Sequence, residues 1–240
     1  MTARNESTMF THPRKAQPDV RSHEVRFRCG FVTLRGELVI PPGANGVVIF
    51  AHGSGSSRHS PRNQFVARAI RESGNGTLLF DLLTSDEEAE DERTGHLRFD
   101  IELLAERLVE ATRWIIAQPA THTSGIGYFG ASTGGGAVLM AAAGLGRRIG
   151  AVVSRGGRPD LAGDALSRVE SATLLIVGGY DEVVLRLNEE AFAELCCEKD
   201  LKIIPGATHL FEEPGALDAV AEHAADWFRQ HLHRYRPAAG

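Results

Sequence analysis

The sequence is dominated by one repeated unit, in which a short apolar run leads through a glycine-rich turn into a segment with helical spacing. Apolar runs without polar alternation are typical of strands that helices cover on both faces of a sheet. The predicted strands are Gly46–Ala51, Thr77–Leu83, Ser124–Phe129, Ile149–Ser154, Thr173–Val177 and Leu201–Ile204. Strands that alternate with helices predict parallel strands joined by crossovers. The predicted fold class is therefore α/β, with a mostly parallel, doubly wound sheet.

Two extended segments precede this pattern. His23–Cys29 and Phe31–Ile40 alternate apolar with polar residues and meet near Gly30, which predicts an antiparallel pair of half-buried strands. The acidic segment Thr84–Thr94 is predicted to be an exposed loop. The predicted helices are Pro61–Glu72, a long helix from Leu97 that ends before Pro119, Gly135–Ala143, Leu161–Val169, Val184–Cys197 and Ala216–Leu232.

Length and composition restrict the possible functions of the chain. Its 240 residues suit one large domain, and a formal net charge of −5 argues against a dedicated nucleic-acid binder. The three cysteines have no framework spacing, which favours a reducing compartment. No apolar run approaches the roughly 18–20 residues that span a bilayer. We therefore expect a cytoplasmic protein without a membrane or nucleic-acid partner, with a flexible tail over residues 1–22 and one domain over residues 23–240. Its oligomeric state stays open.

Ser132 lies in the segment Gly130-Ala131-Ser132-Thr133-Gly134, between a predicted strand and a predicted helix. A serine becomes a nucleophile when its hydroxyl is exposed and a base removes the proton. Glycines two residues before and two residues after the serine permit the sharp turn that exposes it. The strand–turn–helix setting is the one that the nucleophile-elbow motif requires. We therefore expect Ser132 to be the nucleophile of a serine hydrolase.

Two other patterns overlap this segment. Gly125, Gly127 and Gly130 match the dinucleotide-binding pattern G-x-G-x-x-G, but they lie within the predicted strand, and no acidic residue follows about twenty positions later. The run from Gly134 to Gly136 lacks the lysine and the serine or threonine of a phosphate-binding loop. Neither pattern therefore predicts a nucleotide site.

A candidate acid and a candidate base follow Ser132 in the order that this scaffold requires. Asp181 follows the predicted strand Thr173–Val177, with Glu182 beside it as the competing carboxylate, and His209 follows the last predicted strand. Because the carboxyl ends of parallel strands share one edge of a sheet, these side chains are expected to meet there. The sequence thus predicts a triad of Ser132, Asp181 and His209.

The loop that begins at His52 is rich in glycine and serine and follows the strand Gly46–Ala51. A tetrahedral intermediate needs two preorganised amide donors. We expect the backbone N–H groups of Ser54 and Thr133 to supply them. His52 is expected to support the loop rather than to act as the base.

Four segments together resemble the α/β-hydrolase superfamily, and the compact form is similar to its dienelactone-hydrolase-like members. They are the elbow at residues 130–134, His-Gly-Ser-Gly at 52–55, Gly-Gly-Tyr-Asp at 178–181 and Gly-Ala-Thr-His at 206–209. Residues 52–58 and 154–160 also resemble hydrolases that are sometimes fused to a phosphoribosyltransferase domain. The resemblance implies an eight-stranded sheet with antiparallel first strands and hydrolysis through an acyl-enzyme. Ser132 departs from the cysteine nucleophile of true dienelactone hydrolases, and the short interval from Ser154 to Thr173 leaves no room for a large cap domain.

The expected substrate is a small molecule with a carboxylic ester or a related acyl bond, cleaved without a metal or an organic cofactor. Esterase, thioesterase and lactonase chemistry all stay open. Arg58 and Arg155 are expected at the same edge, where they would contact an anionic substrate group or pair with neighbouring acids. The acidic segment Thr84–Thr94 could flank the entrance. The same pocket would also serve a binding protein with little turnover, or an acyltransferase whose acceptor is not water.

Overall fold

The structure is a computed structural model that describes residues 22–234, so the tail expected over residues 1–22 lies almost wholly outside the described residues. The strands are β1 (Ser22–Cys29), β2 (Val32–Val39), β3 (Gly46–Ala51), β4 (Gly76–Phe80), β5 (Gly125–Ala131), β6 (Ile149–Arg155), β7 (Ala172–Gly178) and β8 (Lys199–Ile204). The helices are α1 (Pro61–Glu72), α2 (Ser85–Thr94), α3 (Ile101–Ala117), α4 (Thr133–Leu145), α5 (Glu182–Glu194) and α6 (Ala216–His231).

The strands form one eight-stranded sheet in the order β1-β2-β4-β3-β5-β6-β7-β8. Strand β2 pairs antiparallel with β1 and with β4, and all other neighbouring strands of this sheet are parallel. Helices α1 and α6 cover one face, and α3, α4 and α5 cover the other. The predicted α/β sheet with antiparallel first strands is therefore confirmed.

The central strands are buried along their whole length, as their unbroken apolar sequences predict. The largest polar side chain in this core is Tyr128 in β5, whose hydroxyl lies 2.5 Å from Oγ1 of Thr112 in α3. Between β6 and β7 the chain forms a 3₁₀ segment over Pro159–Arg168, which breaks at Gly163, where φ is +49°. The helix expected over residues 161–169 is thus a tighter and interrupted structure, and the interval holds no large cap.

Three other boundaries differ from the predictions. Strand β4 ends at Phe80, so Asp81 lies beyond the strand rather than inside it. Helix α3 begins only at Ile101, because the Asp100 side chain accepts an N–H of its first turn and caps it there; Leu97 belongs to a separate 3₁₀ turn. Helix α5 ends at Glu194, which leaves two of the cysteines beyond the helix. None of the helices over residues 22–234 has the length and apolar character needed to cross a bilayer.

The acidic segment predicted as a loop is helix α2. Thr84 Oγ1 accepts the Glu87 N–H (3.2 Å), and a Glu87 carboxylate oxygen accepts the Thr84 N–H (2.8 Å), which forms a capping box. The other carboxylate oxygen of Glu87 accepts a hydrogen bond from Arg107 of α3 at 2.7 Å. The prediction was wrong because polar contacts at the N-terminus of the helix, rather than an apolar face, hold α2 in place.

We expect Thr84→Ala to lower the free energy of unfolding by about 0.5–2 kcal/mol, since it removes the side-chain acceptor of the capping box. Urea unfolding at pH 7 measures the change. Thr84→Ser is the control, because serine caps equally well and should retain most of the stability. An equal loss in both variants would contradict the role of the cap.

Candidate active site

Ser132 occupies a strained turn between the end of β5 and the first residue of α4. Its φ is +51° and its ψ is −122°, a region that residues other than glycine rarely adopt. A Cβ added to Gly130 would lie 2.5 Å from the carbonyl oxygen of Gly134, and one added to Gly134 would lie 2.4 Å from that of Ala51. Both positions therefore require glycine, and the turn has the geometry of a nucleophile elbow.

His209 and Asp181 meet at the carboxyl edge of the sheet. His209 Nδ1 lies 2.6 Å from Asp181 Oδ2, and the Asp181 side chain is 14% exposed. Because an ionised carboxylate only accepts hydrogen bonds, Nδ1 carries the proton and Nε2 is left free to act as a base. The competing carboxylate, Glu182, is exposed in the first turn of α5 and makes no hydrogen bond to His209. The structure thus places Asp181 rather than Glu182 beside the candidate base.

The segment that follows β6 connects the serine to the histidine. The Ser132 N–H donates to the Arg155 carbonyl at 3.3 Å, and the Arg158 N–H donates to the Ser132 carbonyl at 3.0 Å. Between these two residues, Gly156 has φ +52°, and a Cβ there would lie 3.3 Å from the His209 carbonyl oxygen. The three predicted triad residues are therefore arranged around one short segment at the edge of the sheet.

The two candidate oxyanion donors differ in their present partners. The Thr133 N–H lies at the first position of α4, where helix geometry provides no acceptor. The Ser54 N–H, in contrast, donates to Thr133 Oγ1 at 3.1 Å, and the two hydroxyl oxygens also lie 3.1 Å apart. Gly53 packs against the nucleophile, since a Cβ there would be 2.9 Å from that of Ser132. The loop is in the expected place, but the Ser54 amide already has an acceptor.

His52 holds this loop against the end of β4. Its Nε2 accepts the Leu82 N–H at 3.1 Å, so Nδ1 carries the proton and donates to the Gly53 carbonyl at 3.0 Å. Burial lowers the pKa of His52, and the neutral ring is the form that makes both bonds. His52 therefore supports the loop, as the sequence predicts, and both of its ring nitrogens are already hydrogen-bonded.

Neither arginine expected at the substrate has a free guanidinium beside the serine. The Arg58 side chain forms an ion pair with one carboxylate oxygen of Asp81. The other oxygen of Asp81 accepts the backbone N–H of Arg58 at 2.9 Å. Arg155 is 7% exposed and lies over the ring of Phe211, with one N–H directed at Asn63 Oδ1. Both have protein partners that the sequence did not reveal, and their contact with substrate stays a prediction.

A cavity of about 440 Å³ lies between the loop of residues 52–61 and helix α2; its lining includes Thr133, the residue after the proposed nucleophile, but not Ser132 or His209 themselves. The two residues expected to supply oxyanion donors, Thr133 and Ser54, line it together with the leucines at 82, 83 and 104. Its charged lining residues are Glu88, Asp91, Glu92 and Arg98. Helix α2 is thus a wall of the cavity. Over residues 22–234 no cluster of histidine, cysteine or carboxylate side chains has the arrangement of a metal site.

Residues 34–236 match the model of the dienelactone hydrolase family. The chain belongs to this family. Two Mycobacterium tuberculosis proteins, each named a putative phosphoribosyl transferase, are 55% identical to this dienelactone hydrolase family member over 217 residues. The match covers 90% of the chain and 48% of each relative, so the chain spans about half the length of these curated relatives.

Solved structures agree with this assignment. A dienelactone hydrolase from Anabaena variabilis is 57% identical and superposes with a TM-score of 0.88. The match covers 90% of this chain and 100% of that chain. The protein Est1E from Butyrivibrio proteoclasticus superposes with a TM-score of 0.73 at 16% identity, with 86% of this chain and 98% of that chain covered. The second likeness shows the fold alone. The protein therefore has the α/β-hydrolase fold and belongs to a family of hydrolases, as the resemblance implied.

The buried state of His52 predicts a pH dependence of stability. Its pKa is lowered by burial, so the unfolded chain takes up the proton first as the pH falls. The stability that His52 contributes is complete above the unfolded pKa of about 6.5 and is lost as the pH falls from there toward the lower folded pKa. The free energy of unfolding, measured by urea denaturation, should therefore rise between pH 5 and pH 7.5. His52→Gln should make this rise less steep, because glutamine stays neutral.

The control for this titration is His59→Gln, which removes an exposed histidine from the same loop. It should leave unchanged the part of the pH dependence of the free energy of unfolding that we attribute to His52. An identical pH profile for the wild type and His52→Gln would contradict the neutral, hydrogen-bonded role of this ring.

Proposed function

We propose that the protein is a serine hydrolase, which cleaves a carboxylic ester or a related acyl bond through an acyl-enzyme on Ser132. The hydrogen bond of 2.6 Å between His209 and Asp181, at the edge where the strained Ser132 turn stands, carries this proposal. Together these residues supply what a serine needs to react at neutral pH: a hydroxyl held on a sharp turn, a base of fixed tautomer, and a carboxylate to stabilise the cation that forms.

In the first half of the reaction, Ser132 Oγ attacks the acyl carbon and its proton passes to His209 Nε2. The Thr133 N–H donates to the oxyanion that forms. The Ser54 N–H is the second donor in this proposal, and the oxyanion takes the place of Thr133 Oγ1 as its acceptor. The leaving alcohol then departs with the proton from Nε2, and the acyl group stays on Ser132.

In the second half, water gives a proton to His209 Nε2 and attacks the acyl carbon. The acid is released as Ser132 Oγ recovers the proton. The His209 side chain is 39% exposed, which gives water access to the base. This access favours hydrolysis over transfer to another acceptor. A binding protein with little turnover would use the same cavity, and the labelling experiment below separates it from an enzyme.

We expect a fluorophosphonate probe to label the wild type and to leave Ser132→Ala unlabelled. Asp181→Asn should lower kcat for p-nitrophenyl butyrate by roughly 10⁴-fold, because it removes the carboxylate that fixes the tautomer of the base. Glu182→Gln is the matched control one residue away and should keep activity within about twofold of the wild type. Labelling that persists in Ser132→Ala, or no labelling of the wild type, would refute the serine mechanism.

The charges of the cavity bear on the choice of substrate. Asp91 is neutralised by Arg98, whose Nε lies 2.5 Å from its Oδ2, and Arg58 is neutralised by Asp81. Glu88 and Glu92 remain as the net charge of the lining. The cavity therefore repels an anionic acyl or alcohol group, and we propose an ester that carries no negative charge as the substrate.

We expect kcat/KM for a neutral p-nitrophenyl ester to exceed that for an anionic ester of equal length by about fivefold, which corresponds to roughly 1 kcal/mol for one screened charge pair. Glu88→Gln should narrow this difference. Glu90→Gln is the control, because Glu90 lies on the same helix but pairs with Arg93 outside the cavity. A preference for the anionic ester would instead favour the arginine contacts predicted from the sequence.

A further inference from the structure

Arg155 is a buried cation at the end of β6, next to the proposed nucleophile. Its carbonyl accepts the Ser132 N–H, and its Cα pairs in register with that of Ala131 in β5. The side chain is 7% exposed and lies on the face of the sheet that carries α1. The guanidinium is therefore enclosed by protein, and Arg155 pairs with the residue directly before the strained Ser132 turn.

No carboxylate within residues 22–234 forms an ion pair with Arg155. One N–H is directed at Asn63 Oδ1 at 3.4 Å, a long hydrogen bond, and Nε has no partner. Burial and, as a smaller cause, the like charge of Arg62 lower the pKa of Arg155 to about 10. The group still carries its charge at neutral pH. Because a buried, unpaired charge destabilises a fold, an apolar residue of the same length would serve packing better.

The contact that Arg155 does make is with the loop of the proposed base. Its Cζ lies 5.7 Å from the centroid of the Phe211 ring, a distance at which a cation is attracted to the face of an aromatic ring. Phe211 is 1% exposed. The Phe211 N–H donates to the Thr208 carbonyl at 3.2 Å, which closes a turn with His209 inside it. Phe211 is therefore the last residue of the turn that carries His209.

Phe211 also has an unfavourable backbone conformation. Its φ is +56°, and over residues 22–234 Ser132 is the other non-glycine residue with a positive φ. Such a conformation persists only where the surroundings impose it. Gly156 leaves room for the ring in this conformation, since a Cβ there would lie 3.3 Å from Phe211 Cε2. The Arg155 guanidinium lies over the ring and attracts it.

We propose that Arg155 is a positioning residue for the base. Its cation–π contact with Phe211 holds the turn from Thr208 to Phe211 in its strained form, and so keeps His209 hydrogen-bonded to Asp181 at the edge beside Ser132. This inference rests on the proposed function. It assigns the charge of Arg155 to the geometry of the catalytic loop and not to a contact with substrate.

The test compares Arg155→Met, Arg155→Lys and Phe211→Leu. Methionine keeps an unbranched stem and loses the charge, lysine keeps the charge, and leucine removes the ring. We expect Arg155→Met and Phe211→Leu to lower kcat for p-nitrophenyl butyrate by about tenfold or more, since small displacements of a catalytic group have effects of this size, while KM stays within about twofold. Arg155→Lys should recover kcat to within about threefold of the wild type, because an ammonium also attracts the ring.

The double variant Arg155→Met/Phe211→Leu should have a kcat no lower than that of the less active single variant, because both changes break the same contact. Arg68→Met is the control for charge alone. It removes an exposed cation from α1, the helix that carries Asn63, and it should leave kcat within about twofold. Melting temperatures of all variants separate a loss of kcat from a loss of folded protein.

A second readout does not depend on turnover. The Nδ1 proton of His209 in its bond to Asp181 should give a downfield proton NMR signal, which Asp181→Asn assigns by removing it. We expect Arg155→Met to shift or broaden this signal and Arg155→Lys to retain it. An unchanged signal together with an unchanged kcat in Arg155→Met would overturn the inference, as would losses that simply add in the double variant.

A rise in KM confined to anionic esters would also overturn it, in favour of a substrate contact. Failure of the proposed function has a different signature. The wild type would then not react with the fluorophosphonate at Ser132, while the NMR comparison of the Arg155 variants would still decide whether Arg155 positions His209.

Discussion

Gly134, in the first turn of α4, lies against the backbone at the end of β3, so closely that a Cβ there would be 2.4 Å from the Ala51 carbonyl oxygen. This approach brings the start of the helix against the neighbouring strand and forces the sharp reversal at Ser132. The loop that follows Ala51 begins at the same point, and Gly53 therefore lies beside the serine. One backbone contact thus fixes both the nucleophile and the loop expected to hold the oxyanion.

The other half of the site depends on the same edge of the sheet. Strands β5, β6 and β7 are parallel neighbours, so the residues that follow them emerge side by side. Gly156 follows β6, and its N–H donates to the Ile176 carbonyl of β7 at 2.7 Å. Its missing side chain leaves room for the turn that carries His209. The serine, the acid and the base are therefore positioned by strand ends, and the loops between them are short.

The sequence predicted those elements whose boundaries are set by residues close together in the chain. Strand β3 and helix α1 have the predicted bounds, because each combines an apolar pattern with a glycine or proline boundary. Helix α2 was missed, since its capping box is a local signal but its attachment through Glu87 to Arg107 is not. The partners of Arg58, Arg155 and the Ser54 amide were missed for the same reason. They lie 23 to 92 residues away in the chain and emerge only when the sheet forms.

Two buried arginines show how differently one residue type stabilises the walls of this site. Arg107 is 5% exposed and has a counter-ion, Glu87, so its charge is matched and fastens α2 to α3 beside the cavity. Arg155 is equally buried, and its partners are an amide oxygen and an aromatic ring. A neutral side chain would replace Arg155 at no electrostatic penalty. The physical reason for a cation at this position therefore has to lie in what it holds, which is the turn that carries His209.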